Sequence, residues 1–141
     1  MKNNTLFVEH YRPTTLEKYV GNEQIKETLQ VDNLSSDDSA SCDYLYINAS
    51  DERGIDTIRE KVTGFASTAS FKSLKVVILD EADFLTINAQ ASLRNVIETF
   101  SRTTRFILTC NYVERIIDPI QSRCQVLKVV PPSKKTIAQH L

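Results

Sequence analysis

No run of apolar residues in this chain approaches the roughly 18 needed to cross a bilayer, so a membrane span is not expected. The start, MKNNTLFVEH, has no apolar core of the signal-peptide kind, and the expected location is the cytoplasm. Cysteine is scarce and odd in number: Cys42, Cys110 and Cys124 are scattered with no C-x-x-C pair, which argues for reduced thiols and against a disulfide frame or a zinc site. The two histidines, His10 and His140, are too few and too far apart for a metal cluster or a triad. Glycine is scarcer than usual, and none of Gly21, Gly54 and Gly64 is followed by Lys and then Ser or Thr. Nor is there an excess of positive charge. A net charge of -1 excludes a uniformly basic nucleic-acid binder, while single basic positions can still touch phosphate.

What is present is ordinary for a globular chain. The 141 residues, 41% hydrophobic and 25% charged, suit one domain with a real core. Residues 22–30, NEQIKETLQ, place Ile25 and Leu29 on one helical face after an Asn22 cap. Residues 31–41 contain four serines, three aspartates and no basic residue, and read as a loop or a disordered segment. DYLYIN (43–48) reads as a strand, and NASDERGID (48–56) as a loop leading into a helix. In that helix Ile55, Ile58, Val62 and Phe65 recur at helical spacing, so Arg53 and Arg59 stay outside the core face. Residues 87–100 place Leu93, Val96, Ile97 and Phe100 on a second core-facing stripe. RFILTCN (105–111) reads as a buried strand with a polar tip. Asp118 and Pro119 open a short helix ending near Ser122, Arg123 and Cys124, and QVLKVV (125–130) reads as a last strand before Pro131 and Pro132. Strands alternating with helices predict an α/β fold with a parallel sheet.

The chemistry gathers at VVILDEAD (76–83), where an apolar run ends in carboxylates. Such a run reads as a strand buried on both faces. Ligands of parallel sheets sit beyond the carboxyl ends of the strands, and carboxylates there commonly hold a hard cation such as magnesium. On this octet alone, Asp80 could equally cap the next turn.

Several motifs in order carry a wider resemblance: EHYRP (9–13), YVGNEQ (19–24), NASDERGID (48–56), VVILDEAD with FLTINAQASLR (84–94), TCN (109–111) and SRC (122–124). Together they resemble the AAA+ sliding-clamp-loader ATPases of the replication factor C and T4-type phage kind, for which a phage chain would work in the host cytoplasm. The resemblance implies a P-loop NTPase (AAA+) type parallel sheet flanked by helices, with ATP and Mg2+ as cofactors. It also implies other clamp-loader subunits, a sliding clamp and primer-template DNA as partners. In it DEAD is the Walker B element, with Asp80 serving magnesium through water and Glu81 orienting the attacking water. Asn111 resembles sensor 1, with an Asx turn as the plainer alternative. Arg123 resembles an arginine finger lent to a neighbouring subunit, with a surface salt bridge as the alternative. Tyr11, Arg12, Pro13, Tyr19, Val20 and Gly21 resemble the segment around adenine, or are ordinary core. Arg53, Arg59 and Arg94 match positions facing DNA phosphates, where contacts position without reading sequence, or are solvated arginines.

The chain departs from that family in one place. A G-x-x-x-x-G-K-[ST] loop, whose amides wrap phosphates, belongs between the first helix and DYLYIN. Only the eleven residues 31–41 stand there. The expectation is therefore an incomplete AAA+ domain over 1–130, lacking the strand, phosphate loop and helix of the Walker A region, with 131–141 as the start of a truncated lid. The missing strand would lie between those read at 105–111 and 125–130, so its loss should strip both of ladder partners. Function then divides between a clamp-loader ATPase subunit in a deleted copy unable to hydrolyse ATP alone, a non-hydrolysing subunit that donates an arginine finger, and an inactive fragment.

Overall fold

The computed structural model describes residues 18–31, 42–51, 55–69 and 74–140. Tyr11, Arg12, Pro13, Arg53 and residues 32–41 lie outside the described residues. The described residues fall into two compact units, one holding 18–31 with 127–140 and the other 42–126.

The larger unit is a parallel sheet with helical crossovers. Its strands are β1 (Cys42–Asn48), β2 (Leu74–Asp80) and β3 (Thr104–Leu108), in the order β1-β2-β3. Parallel neighbours need a crossover. These are α2 (Ile55–Ser67) and α3 (Ile87–Phe100), which pack on each other. Register aligns Leu45 with Val77 and Phe106, and Ile47 with Leu79 and Leu108, on one face of the sheet. That face joins Ile58, Val62, Leu93, Val96 and Ile97 of the helices in one core. Val77 and Leu79 have no exposed surface, and burying each contributes roughly 2 kcal/mol. The predicted stripe of α3 is present, with Leu93, Val96 and Ile97 buried and Phe100 half-buried; on α2 Ile58 and Val62 are buried and Phe65 half-buried, while the side chains of Ile55 and of Leu29 lie outside the described residues. Thr86 caps α3 by accepting a hydrogen bond from the Ala89 N–H at 3.2 Å. Beyond β3, α4 (Asp118–Gln121) carries the predicted Pro119 in its first turn, but Ile117 and not the expected Asp118 stands at the cap, with no side-chain cap bond.

Among the described residues the other face of the sheet is covered only in part, with Val76 buried on it. Tyr44, Tyr46 and Ile107 are all exposed there, and Ile78 is half-buried. Two strand expectations change accordingly. Predicted as a buried strand over 105–111, β3 is a short edge strand ending at Leu108, with Arg105 and Ile107 exposed. Among the described residues it pairs with β2 alone, and no helix covers its second face. QVLKVV forms no strand: Val126, Leu127, Val129 and Val130 are exposed. Its β-branched composition favours a strand only where a ladder partner exists, and none lies beside it among the described residues.

The smaller unit contains α1 (Glu23–Val31) and α5 (Lys134–His140). Asn22 precedes α1 at a left-handed φ of 52°. Its carbonyl accepts the Ile25 and Lys26 N–H groups, but its side chain does not cap the helix as predicted. Instead its amide pairs with the Val130 backbone, donating to the carbonyl at 2.9 Å and accepting from the N–H at 3.0 Å. Ser133 caps α5 by accepting from the Thr136 N–H. Among the described residues no helix is long and apolar enough to cross a membrane.

Candidate nucleotide and metal site

The carboxyl end of β2 is built by its two neighbours. Asp80 is the last residue of β2 and is half-buried. From β1 the Tyr46 hydroxyl donates to Asp80 Oδ2 at 2.7 Å. From the loop after β3 the Thr109 hydroxyl donates to Asp80 Oδ1. Each carboxylate oxygen therefore has its own donor, which fixes the plane of the group. Thr109 is tied in turn: its N–H donates to Leu79 O at 3.0 Å, its carbonyl accepts from Ala82 N at 2.8 Å, and its Oγ1 accepts from Glu81 N at 3.1 Å. Beside Asp80, the backbone is closed further by Ala49 N donating to Asp80 O at 2.9 Å.

Glu81 follows in the left-handed region, with φ 54° and ψ 43°. A residue bearing a Cβ is disfavoured there by about 1–2 kcal/mol. Thr109 holds this conformation through the Glu81 and Ala82 N–H groups. The strained turn lifts the Glu81 side chain out of the strand at the tip of the sheet.

Other predicted residues are placed less uniformly. Asn111 is exposed, three residues past the end of β3, on the loop that carries Thr109. Arg123, after α4, donates to Pro119 O at 2.7 Å and forms an ion pair with Glu98 of α3. It is thus held on its own chain. Arg94 is half-buried on α3, with one terminal nitrogen donating to Asn95 Oδ1 at 3.1 Å and a buried Nε that makes no hydrogen bond. Arg59 is exposed on α2 between Asp56 and Glu60, which offset its charge. In the smaller unit Tyr19 and Val20 are half-buried, and the Tyr19 oxygen accepts from the Asn22 amide at 2.9 Å. Gly21 has φ +92° and a Cβ there would meet Pro132 at 3.1 Å, so only glycine fits without strain.

Two residues of the site were not singled out from sequence. Thr109 stood inside the quoted TCN motif. Tyr46 had a weaker signal: alternation along DYLYIN puts it on the same face as Asn48, whose register partner is Asp80. Near the site, the Cys110 thiol is pushed up first by burial and then by the charges of Asp83 and Glu114. The Cys124 thiol is pushed up by burial.

The donor set decides what an ion could find here. Among the described residues no group of three or more carboxylate, thiol or imidazole side chains is arranged to hold a metal. A magnesium ion, which keeps most of its waters and needs only one or two protein carboxylates, suits a single oriented Asp80.

Comparison with known proteins shows the family of the chain. Residues 12–133 match a family model described as DNA polymerase III, delta subunit. The chain is 38% identical to the replication factor C small subunit of Archaeoglobus fulgidus, over all of this chain and 53% of that protein. It is 41% identical to the replication factor C small subunit of Halobacterium salinarum, over 96% of this chain and 51% of that protein. A replication factor C small subunit of Pyrococcus furiosus is 52% identical over 100 residues, 70% of this chain and 12% of that protein. The chain spans about half the length of the first two relatives. With a parallel α/β sheet and a family match across nearly its whole length, this chain belongs to the clamp-loader subunit family.

Proposed function

We propose that this chain acts in DNA replication as part of a clamp-loader subunit, of the kind that uses ATP binding and hydrolysis to place a sliding clamp on primer-template DNA. In this reading the present sequence does not hydrolyse ATP by itself. The observation that carries the proposal is the double hold on Asp80 at the carboxyl end of the central strand. A carboxylate fixed by Tyr46 and Thr109 needs no reorganisation to receive a hydrated cation, and this supports a Walker B role for Asp80.

The remaining residues take the roles that the family resemblance suggests for them. At a site that held nucleotide, Glu81 would orient a nucleophilic water, and Asn111 would reach the γ-phosphate from the Thr109 loop. Tyr11, Arg12, Pro13, Tyr19, Val20 and Gly21 surround adenine, and Arg53, Arg59 and Arg94 face DNA phosphate. Magnesium, when bound, neutralises charge on the phosphates. The phosphates themselves do not fit as well as the cation does. The sequence has no G-x-x-x-x-G-K-[ST] loop to wrap them, and no step through ATP is derived. An alignment of 170 positions against 141 residues supports an internal shortening relative to the Archaeoglobus protein.

The missing loop favours a second reading alongside the first. The chain would serve as a non-hydrolysing subunit whose Arg123 completes a neighbour's site, exchanging Glu98 for the transferring phosphoryl group. The test is a thermal melt with and without millimolar Mg-ATP, paired with reconstitution with the clamp-loader subunits of its own source. A midpoint unmoved by ATP is expected, and an upward shift would overturn the expectation that the chain alone holds no nucleotide without that loop. In the reconstituted assembly Arg123→Ala should lower ATPase activity about a thousandfold. An assembly that never forms would leave an inactive fragment and sink both readings.

A further inference from the structure

Asp83 is an anomaly among the carboxylates of this chain. It is 6% exposed, and both its oxygens are buried with no hydrogen-bond partner. A buried carboxylate is stable when paired, and its desolvation is otherwise unfavourable. Asp83 lines a cleft of about 670 Å³ between the start of α3 and the segment leading to α4. Leu85, Ile117 and Pro119 supply apolar walls, and Glu114 and Asp118 add negative charge at exposed positions. The Cys110 thiol nearby is pushed up first by burial and then by the charges of Asp83 and Glu114.

The chain's own cation is turned away from this carboxylate. Arg115 lines the same cleft, yet its guanidinium stacks over the Tyr112 ring at 4.6 Å. The neighbouring amide is occupied as well. Gln90 Nε2 donates to Leu85 O at 3.1 Å and Arg115 O at 2.9 Å, while its Oε1 accepts from Ile117 N at 2.9 Å. Those bonds fix both sides of the cleft and leave Gln90 nothing to offer Asp83.

We propose that the cleft around Asp83 is a docking site for an arginine side chain presented by a partner polypeptide. Two unpartnered oxygens on one planar group match the paired donors of a guanidinium, which an ammonium cannot span. The apolar walls accept the stem of the side chain, and Glu114 and Asp118 complement its charge. Because the oxygens are covered in the free chain, docking includes a rotation of the Asp83 carboxylate into the cleft. The inference is independent of the nucleotide site and of any ATP chemistry.

The experiment is a titration of the isotope-labelled chain with N-acetyl-arginine amide, followed by amide chemical shifts at Leu85, Gln90 and Ile117. N-acetyl-norleucine amide and magnesium chloride serve as comparison probes. Saturable shifts are expected with the arginine probe alone. Asp83→Asn should weaken the response at least about tenfold, and Glu114→Gln about twofold. Should Asp83→Asn fail to fold, the exposed Glu114→Gln substitution decides, and an unchanged affinity there overturns the proposal. It is overturned equally by no saturable shift, by an equal response to norleucine amide, or by a response to magnesium alone.

Discussion

The two ends of β2 both carry a charge, and the fold treats them differently. Lys75 near the start is 4% exposed, with its ammonium donating to Phe65 O at 2.7 Å, to Thr68 O and to Thr68 Oγ1 at 3.2 Å. It also lies 5.4 Å from the centre of the Phe65 ring. These carbonyls sit at the end of α2, where no helical partner exists and the dipole favours a cation. The lysine's donors are consumed by groups that need them. Asp80 at the other end is held by two side-chain hydroxyls, from Tyr46 and Thr109. A charged strand end is structural when its bonds satisfy stranded backbone, and available for chemistry when its partners are side chains.

Breaking the Lys75 end should give the largest effect. Lys75→Met keeps the stem but removes the charged donor from Phe65 O and Thr68 O, of which Phe65 O keeps the Thr68 hydroxyl, and should destabilise the larger unit by about 2 kcal/mol. Urea unfolding measures this, and a loss below about 0.5 kcal/mol would abolish the distinction between the two ends. At the Asp80 end, Thr109→Val and Tyr46→Phe should be milder, about 1 kcal/mol each, because each oxygen keeps access to other donors. If Tyr46→Phe proved as damaging as Lys75→Met, Asp80 would have to be counted as structural.

A smaller effect is expected in thiol chemistry beside Thr109. The Cys110 thiol is raised, so the folded chain favours its neutral form. The resulting stability is fully present below the ordinary thiol value of 9.0 and is lost as pH rises through the raised value. Alkylation by iodoacetamide near about pH 8 should therefore be slower than in the urea-unfolded chain, and Glu114→Gln should speed it. Equal rates in folded and unfolded chains would remove the negative field around that loop. The smallest change is expected from Glu98→Gln. The Glu98–Arg123 pair is part-exposed, so unfolding free energy should shift by no more than about 0.5 kcal/mol, while Arg123 becomes free to leave its own chain.

The sequence made local patterns legible and left partnerships hidden. The stripe Leu93, Val96, Ile97 and the run VVILD carry their period within one element, so α3 and β2 could be read from the residues alone. QVLKVV has the same strand-like composition, but a strand requires a neighbour, and the sequence of 125–130 does not record whether one is present. The same limit applied at the site. Asp80 and Glu81 stood out as charges after an apolar run, whereas the hold by Tyr46 and Thr109 depends on the register of β1 against β2 and on where β3 ends. Lys75 read only as a lead-in to the strand because its helical acceptors lie up to 10 residues earlier in the chain.

Glu81 carries a consequence for how this sequence would drift. Glycine adopts a φ near +54° without a steric clash, and replacing glutamate there should relax the backbone by about 1 kcal/mol. In a display library selected for heat resistance alone, position 81 should be among the first to change, towards glycine or asparagine. A second library selected for turnover by the assembled machine should keep glutamate and accept the strain. The two populations would then diverge at a residue that scarcely touches the hydrophobic core, and the direction of the divergence would reveal which pressure had acted.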